Sequence, residues 1–166
     1  SATLILGPSA LMPPEGMDVV RVRSAADMAA AVLRHLPGHQ ALVMAAAVAD
    51  YTPAEPLDSK LQKKDGDLFL RLRRTTDILA AVKDSPHRAG KCVVGFSLDV
   101  GVNLAEGRRK LEAKDLDFIV VNTTASFGSD RESAVIISRF GEERCGEIGK
   151  GELARILLSR IMEHLS

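Results

Sequence analysis

Apolar positions along the chain fall into two rhythms, short continuous runs and runs that recur every three or four residues. "ATLILG" (Ala2 to Gly7) is a strand entering a Gly-Pro turn, and "MDVVRV" (Met17 to Val22) is a second strand. Ser24 then offers a helix N-cap, with Asp27 three residues on as a capping box. Met28, Val32 and Leu36 recur at four-residue spacing along one helical face, and Pro37-Gly38 ends the helix. "ALVMAA" is the next strand, leading into Asp50, Tyr51 and Pro53, where the strand should not continue. "DLFLRLRR" (Asp67 to Arg74) alternates apolar and basic residues, as an antiparallel or edge strand with one wet face does. Thr75-Thr76-Asp77 caps a short helix carrying Ile78, Leu79 and Val82.

"CVVGFSL" (Cys92 to Leu98) is continuously apolar, like a buried parallel strand. Asn103 caps a helix running to about Lys114, with Glu106 at the capping-box position. "LDFIVVN" (Leu116 to Asn122) is another buried strand, and "SAVIIS" and "ERCGEI" pair as a hairpin. A last helix, about Lys150 to Leu165, puts Leu153, Ile156, Leu157 and Ile161 on one face. The alternation of strands and helices predicts an α/β fold, Rossmann-like and three-layered (αβα). Its sheet is mostly parallel, with the alternating strand and the late hairpin as a small antiparallel annex that serves as a flap or dimer contact. The expected organisation is one domain over residues 1–166.

Composition narrows the function classes. Twenty-two acidic and 22 basic residues balance to a formal net charge of zero, which excludes the broad basic field that nucleic-acid binding needs. Any positive site must be local. The chain is 46% hydrophobic, enough for a packed core. No apolar run approaches the roughly 18 residues of a membrane span, and the expectation is a cytoplasmic protein. Cys92 and Cys145 fit no CxxC pattern. Cys92 reads as a buried reduced thiol. The four histidines show no metal-ligand spacing, and the metal ligands stay unassigned.

In open α/β sheets ligands gather beyond the carboxyl ends of the strands. Three strands end there in polar or loop-forming residues: at Asp50, at Phe96 to Asp99, and at Asn122. Ala45, Ala46 and Ala47 leave room for a flat group against the backbone. Asp50 is read first as a loop cap and second as a ligand contact. Lys60, Lys63 and Lys64 are read first as solvated loop lysines and second as a phosphate site. Lys110 and Lys114 share one helical face, where they also suit the helix dipole. Arg71, Arg73 and Arg74 read as a solvated strand face. Asp50, Asp77 and Asp99 are possible metal partners that the sequence does not rank. Neither GxGxxG nor GxxxxGK[ST] is present, which excludes an ordinary dinucleotide fold and a P-loop.

These segments, in this order, resemble phosphopantothenoylcysteine synthetase, a CTP-using ligase of coenzyme A biosynthesis often fused to a flavin-dependent phosphopantothenoylcysteine decarboxylase. "AAVADYTP" is similar to the family's AAVADY/F-x-P, "SKLQKK" to its K-I-K-K loop, and "TTDILAAV" to its N/T-P-D-I-L, with Thr76 in place of proline. "VVGFSLD" resembles V-G-F-x-x-E, and "FGSDRESAVII" resembles F-G-S-D-x-N with Glu132 in place of asparagine. The resemblance implies an enzyme that joins 4'-phosphopantothenate and cysteine through an acyl-cytidylate made from CTP with Mg2+ present. It implies Lys60 as the catalytic loop lysine, with Ala46, Asp50, Asp77, Ile78, Phe96, Lys110 and Lys114 around the nucleotide. It implies a homodimer and a fused or associated decarboxylase domain, with neither nucleic acid nor membrane as partner.

The family's first strand, Gly-rich loop and NRSSGKMG segment have no counterpart here, so the chain is expected to be a fragment with little activity alone. A competing reading is a non-catalytic nucleotide-binding or dimerising remnant of the same family. A flavodoxin-like flavin module is the weakest reading, since no Trp and one Tyr leave little to sandwich an isoalloxazine.

Overall fold

The computed structural model describes residues 1–57, 59–63, 66–99, 103–123 and 131–166. In chain order its elements begin with β1 (Thr3–Leu6), β2 (Asp18–Arg21), α1 (Ala25–His35), β3 (Ala41–Met44), β4 (Tyr51–Pro53) and β5 (Leu72–Arg74). There follow α2 (Ile78–Lys83), β6 (Cys92–Asp99), α3 (Leu104–Ala113), β7 (Phe118–Thr123), β8 (Arg131–Ser138), β9 (Gly141–Gly149) and α4 (Lys150–Leu165). A single 3₁₀ turn, Leu36–Gly38, closes the end of α1 at the predicted Pro-Gly stop. The chain divides into two compact units, Ser1–Val32 with Ala46–Ile78 and Leu33–Ala45 with Leu79–Ser166.

In the first unit β1 and β2 form a parallel pair, from Thr3 opposite Asp18 to Leu6 opposite Arg21. The predicted capping box is reciprocal: Asp27 N–H donates to Ser24 Oγ at 3.1 Å, and Ser24 N–H donates to Asp27 Oδ2 at 3.0 Å. Those bonds satisfy two of the donors a helix start leaves over. They also hold the Asp27 carboxyl below the usual carboxylate range, the Ser24 hydroxyl contributing most. Met28, Val32 and Leu36 are buried, as their spacing predicts.

The strand begun at Ala41 ends at Met44 and does not continue into Asp50, as expected, while a separate short strand, Tyr51–Pro53, pairs antiparallel with Leu72–Arg74. Pro53 sits at the strand's last position, where a missing donor costs little. Of the strand predicted over Asp67 to Arg74, only the last three residues pair, and Leu68, Phe69 and Leu70 stay exposed.

The second unit is a five-stranded sheet in the order β3-β6-β7-β8-β9. Its first three strands are parallel, and the β8–β9 hairpin adds antiparallel to the edge of β7. The late hairpin is therefore part of the main sheet and not of an annex. The reason lies in its composition: Ala134, Val135, Ile136 and Ile137 are all buried, so both faces of β8 must be covered. At the register shift between Ala134 and Val135, Gly146 takes φ +63, a left-handed backbone that suits glycine at a bulge.

One face of this sheet, Cys92, Val94, Phe96, Val120 and Ile136, packs against Leu153, Leu157 and Ile161 of α4. The other face lies under α3, which approaches so closely that a Cβ on Gly107 would stand 2.6 Å from Val121 Cγ2 and 2.9 Å from Ile137 Cδ1. Helix α3 ends in a Schellman arrangement: Leu116 N–H donates to Leu111 O at 2.9 Å and Asp115 N–H to Glu112 O at 3.2 Å, with Asp115 at φ 50. This turn delivers the chain into β7. The fold is thus mixed α/β and Rossmann-like, with helices on both faces of the main sheet and a small antiparallel ribbon, β4–β5, elsewhere.

Candidate functional site

In the second unit the carboxyl edge of β6 carries Phe96, half-buried, and Ser97, which is buried. Ser97 faces α3. Lys110 Nζ donates to Ser97 Oγ at 2.9 Å and stands 3.7 Å from Glu106 Oε1. The helix N-cap fixes where that lysine starts: Asn103 Oδ1 accepts from Glu106 N–H at 3.1 Å. Glu106 is held in turn by Arg109, whose guanidinium donates to both its carboxylate oxygens at 2.7 Å. That pairing, more than the nearby Lys110, brings the Glu106 carboxyl down to about 2. Lys110 is therefore a positioned ammonium, reaching back from mid-helix to the edge of the sheet that a helical rise of about 1.5 Å per residue carries it away from.

Lys114 is the C-cap of the same helix, its N–H donating to Lys110 O at 3.0 Å. It lies one turn farther from that edge, about 6 Å along the axis. The structure thus sets Lys110 on Ser97 at the α3 face, puts Phe96 on the opposite face with α4, and leaves Lys114 outside this arrangement. Ser97 and Glu106 are not among the predicted site residues. The available signal was a single hydroxyl in an otherwise apolar strand, followed by a lysine on the next helix.

The other candidates belong to the first unit. Asp50 has an exposed side chain, and its carbonyl accepts from Thr75 N–H at 2.9 Å while Ala49 O accepts from Thr75 Oγ1 at 2.6 Å. These two bonds extend the β4–β5 ribbon and set Asp50 beside Thr75, two residues from Asp77. Asp50 is a loop-pinning residue by its backbone, with the carboxylate turned to solvent. Ala46, Lys60, Lys63 and Asp77 are exposed, and Ile78 is buried at the start of α2. Lys64, the "FGSD" segment at residues 127–130 and the side chains of Asp99 and Glu132 lie outside the described residues.

A groove of about 250 Å³ lies at the opposite, amino edge of the sheet. Phe118, Ile136 and Phe140 form its apolar part, and Glu142, Glu143 and Arg160 its charged part. Arg160 donates to Glu143 at 2.8 and 3.0 Å and to Glu163 at 2.9 and 3.1 Å, so its charge is already matched. That pairing lowers the Glu143 carboxyl and raises the Arg160 guanidinium from their ordinary values.

Residues 1–165 match the family model described as the DNA/pantothenate metabolism flavoprotein C-terminal domain. The coenzyme A biosynthesis bifunctional protein CoaBC of Bacillus subtilis (strain 168) is 38% identical over 146 residues, 85% of this chain and 36% of that protein. A cysteine/cysteine sulfinic acid decarboxylase from an unknown prokaryotic organism is 34% identical over 166 residues, 96% of this chain and 46% of that protein. The chain thus spans between a third and a half of these relatives. Among solved structures, the C-terminal domain of a coenzyme A biosynthesis bifunctional protein CoaBC superposes with a TM-score of 0.81 at 28% identity, covering 98% of this chain and 74% of that one.

These findings correct four linked expectations. The family described is a flavoprotein domain and the relatives' names include a decarboxylase, while none of them names a ligase, CTP or magnesium. The phosphopantothenoylcysteine synthetase assignment, the ligase reaction through an acyl-cytidylate, the ligase enzyme class and the cosubstrates CTP and Mg2+ are therefore withdrawn. The grouping of metal-ligating side chains among the described residues is Cys92, Asp117 and His164, whose thiol and imidazole do not suit magnesium.

The flavin of the family's description makes its own demands on the residues. An isoalloxazine needs a flat, mostly apolar slot, commonly about 300 Å³ or more. At the carboxyl edge the described residues offer Ser97 and Lys110 on one face of the sheet and Phe96 on the other, and the amino-edge groove is smaller and flanked by paired charges. Neither of these two places offers a flavin such a slot. Among the described residues no helix is long and apolar enough to cross a membrane. What the match over residues 1–165 shows is membership: the chain belongs to the DNA/pantothenate metabolism flavoprotein C-terminal domain family.

Proposed function

We propose that this chain is the C-terminal domain of a bifunctional protein of coenzyme A biosynthesis, acting in the cytoplasm on small molecules of pantothenate metabolism. On this reading its ligand at the β6 carboxyl edge is 4'-phosphopantothenate or a cysteine-bearing derivative of it. Decarboxylation, the activity printed for one relative, then belongs to the whole protein, in a fused or associated decarboxylase domain. The working assembly is a homodimer.

One observation carries the proposal: Lys110 is held on the buried Ser97 hydroxyl at 2.9 Å. A positioned ammonium binds phosphate or carboxylate as a point charge without the full cost of ordering a free lysine. Within the first unit, Ala46, Asp50, Lys60, Asp77 and Ile78 remain candidate binding positions, with Lys60 as the cation to vary.

Calorimetry with 4'-phosphopantothenate and with unphosphorylated pantothenate tests this reading. Binding should depend on the phosphate, and Lys110→Ala should weaken it roughly tenfold or more, as the loss of a charged hydrogen bond does. Equal binding of both compounds, or an affinity unchanged in Lys110→Ala, would overturn it. Light scattering gives the assembly, with a monomer at micromolar concentration counting against the homodimer.

A further inference from the structure

Three side chains from distant parts of the sequence meet at the amino edge of the second unit's sheet. Cys92 is the first residue of β6, Asp117 directly precedes β7, and His164 lies in the last turn of α4. Their ligand atoms all lie within 4.8 Å of one another, and Asp117 Oδ1 stands 3.5 Å from His164 Nε2.

The carboxylate is fixed by its other oxygen. Asp117 Oδ2 accepts from Val93 N–H at 2.7 Å and from the Arg88 guanidinium at 3.0 Å, while Asp117 N–H donates to Val93 O at 2.9 Å. Oδ1 is thereby aimed at the imidazole. The His164 ring packs edge-on against Phe118 with centroids 5.8 Å apart. Cys92 is fully buried and is a free thiol.

We propose that Cys92, Asp117 and His164 form a binding site for a zinc-class divalent cation, which ties the end of α4 to β6 and β7. Thiolate, imidazole and carboxylate are together the ligand set that borderline-soft cations take, with bonds of about 2.0 to 2.3 Å. Two such ligands on a tetrahedron lie about 3.3 to 3.6 Å apart. The Asp117–His164 separation already falls in that range, and the remaining closure is within the reach of a partly exposed imidazole at a helix end. The hydrogen bonds to Oδ2 are the outer contacts that orient a ligating carboxylate.

Burial, more than the neighbouring Asp117, pushes the Cys92 thiol up to about 11, so the metal-free thiol is neutral. Binding displaces the thiol proton to solvent and forms the metal–sulfur bond. Cys92 and Asp117 then supply two negative charges to the cation, against the one positive charge of Arg88 on the far oxygen. Three protein ligands leave a fourth position for water. The site lies at the end of the strands opposite Ser97 and Lys110, so it is separate from the proposed ligand site.

Cobalt titration of the purified chain, followed by displacement with zinc, tests the site. One equivalent of Co2+ should produce a thiolate-to-cobalt charge-transfer band in the near ultraviolet, which zinc abolishes. Cys92→Ala should lose the band and Cys145→Ala should keep it. His164→Ala alters a partly exposed residue and so keeps the test decisive even where Cys92→Ala fails to fold; it should weaken cobalt binding roughly tenfold or more. The proposal is overturned by a wild-type chain without the band, by a band that follows Cys145, or by His164→Ala binding cobalt as wild type does.

Discussion

Gly107 gives the sharpest quantitative expectation of the fold. An alanine there would place its Cβ 2.6 Å from Val121 Cγ2 and 2.9 Å from Ile137 Cδ1. Ordinary carbon contacts lie near 3.5 to 4.0 Å, so roughly 1 Å must open at Val121 and about half of that at Ile137. Neither neighbour can yield easily: both are fully buried in adjacent strands, and both are β-branched and stiff at χ1. Overpacking of this kind costs about 1–3 kcal/mol, and the better helix propensity of alanine returns about 1 kcal/mol. The net expectation is a loss of about 1 kcal/mol, and its sign depends on the clash.

Gly151 isolates that clash, because it lies in α4 with nothing within 4 Å of the place a Cβ would take. Gly151→Ala should stabilise by up to about 1 kcal/mol through propensity and unfolded-state entropy alone. The two variants should therefore differ by about 2 kcal/mol, close to 1 M in urea midpoint at a slope of about 2 kcal/mol/M. Equal shifts of the midpoint in the same direction would refute the reasoning. They would mean that α3 does not pack on β7 and β8 as closely as described.

Arg88→Ala should cost roughly 3 kcal/mol or more, since it leaves the mostly buried Asp117 carboxylate without its cation; thermal denaturation showing a loss below about 1 kcal/mol would refute this. The Glu106 carboxyl should titrate near pH 2 by NMR and move up toward 4.5 in Arg109→Ala, because Arg109 is the main cause of the depression. Its folded value is the lowered one, so its contribution to stability is complete above its unfolded value and fades as pH falls through about 2; an unchanged titration in Arg109→Ala would refute the assignment. Ser24→Ala removes the cap on α1 and should cost about 1 kcal/mol, read as a lower urea midpoint with an unchanged slope.

Local signals carried much of the fold. Ser24 with Asp27, and Asn103 with Glu106, are caps formed within four residues, and both bonds are present in the structure. The run Cys92 to Leu98 needed only its own composition to be read as a buried strand. What failed was non-local. The hairpin's place on the edge of β7 depends on Val121 meeting Val135, a pairing that no short pattern encodes. The basic alternation before Thr75 predicts a face but not its partner, and the structure pairs only Leu72–Arg74. Motif resemblance led to a domain whose relatives include coenzyme A biosynthesis proteins and carried less far on the reaction, because a motif marks shared positions and not the chemistry done there.

The same distinction explains the two sites. Lys110 was visible in the sequence as half of a helical pair with Lys114, yet its anchor is Ser97, a residue on the preceding strand. Cys92, Asp117 and His164 show no ligand spacing at all. They meet because Asp117 and Val93 bond to each other across the amino ends of β6 and β7, while α4 covers the same face that Cys92 enters. A ligand set of this kind is specified by strand register and helix length together. Changing the length of the β7–β8–β9 hairpin or of α4 would move His164 off the cluster without altering any of the three ligands, so the residues alone are no evidence for the site in a chain whose α4 ends earlier.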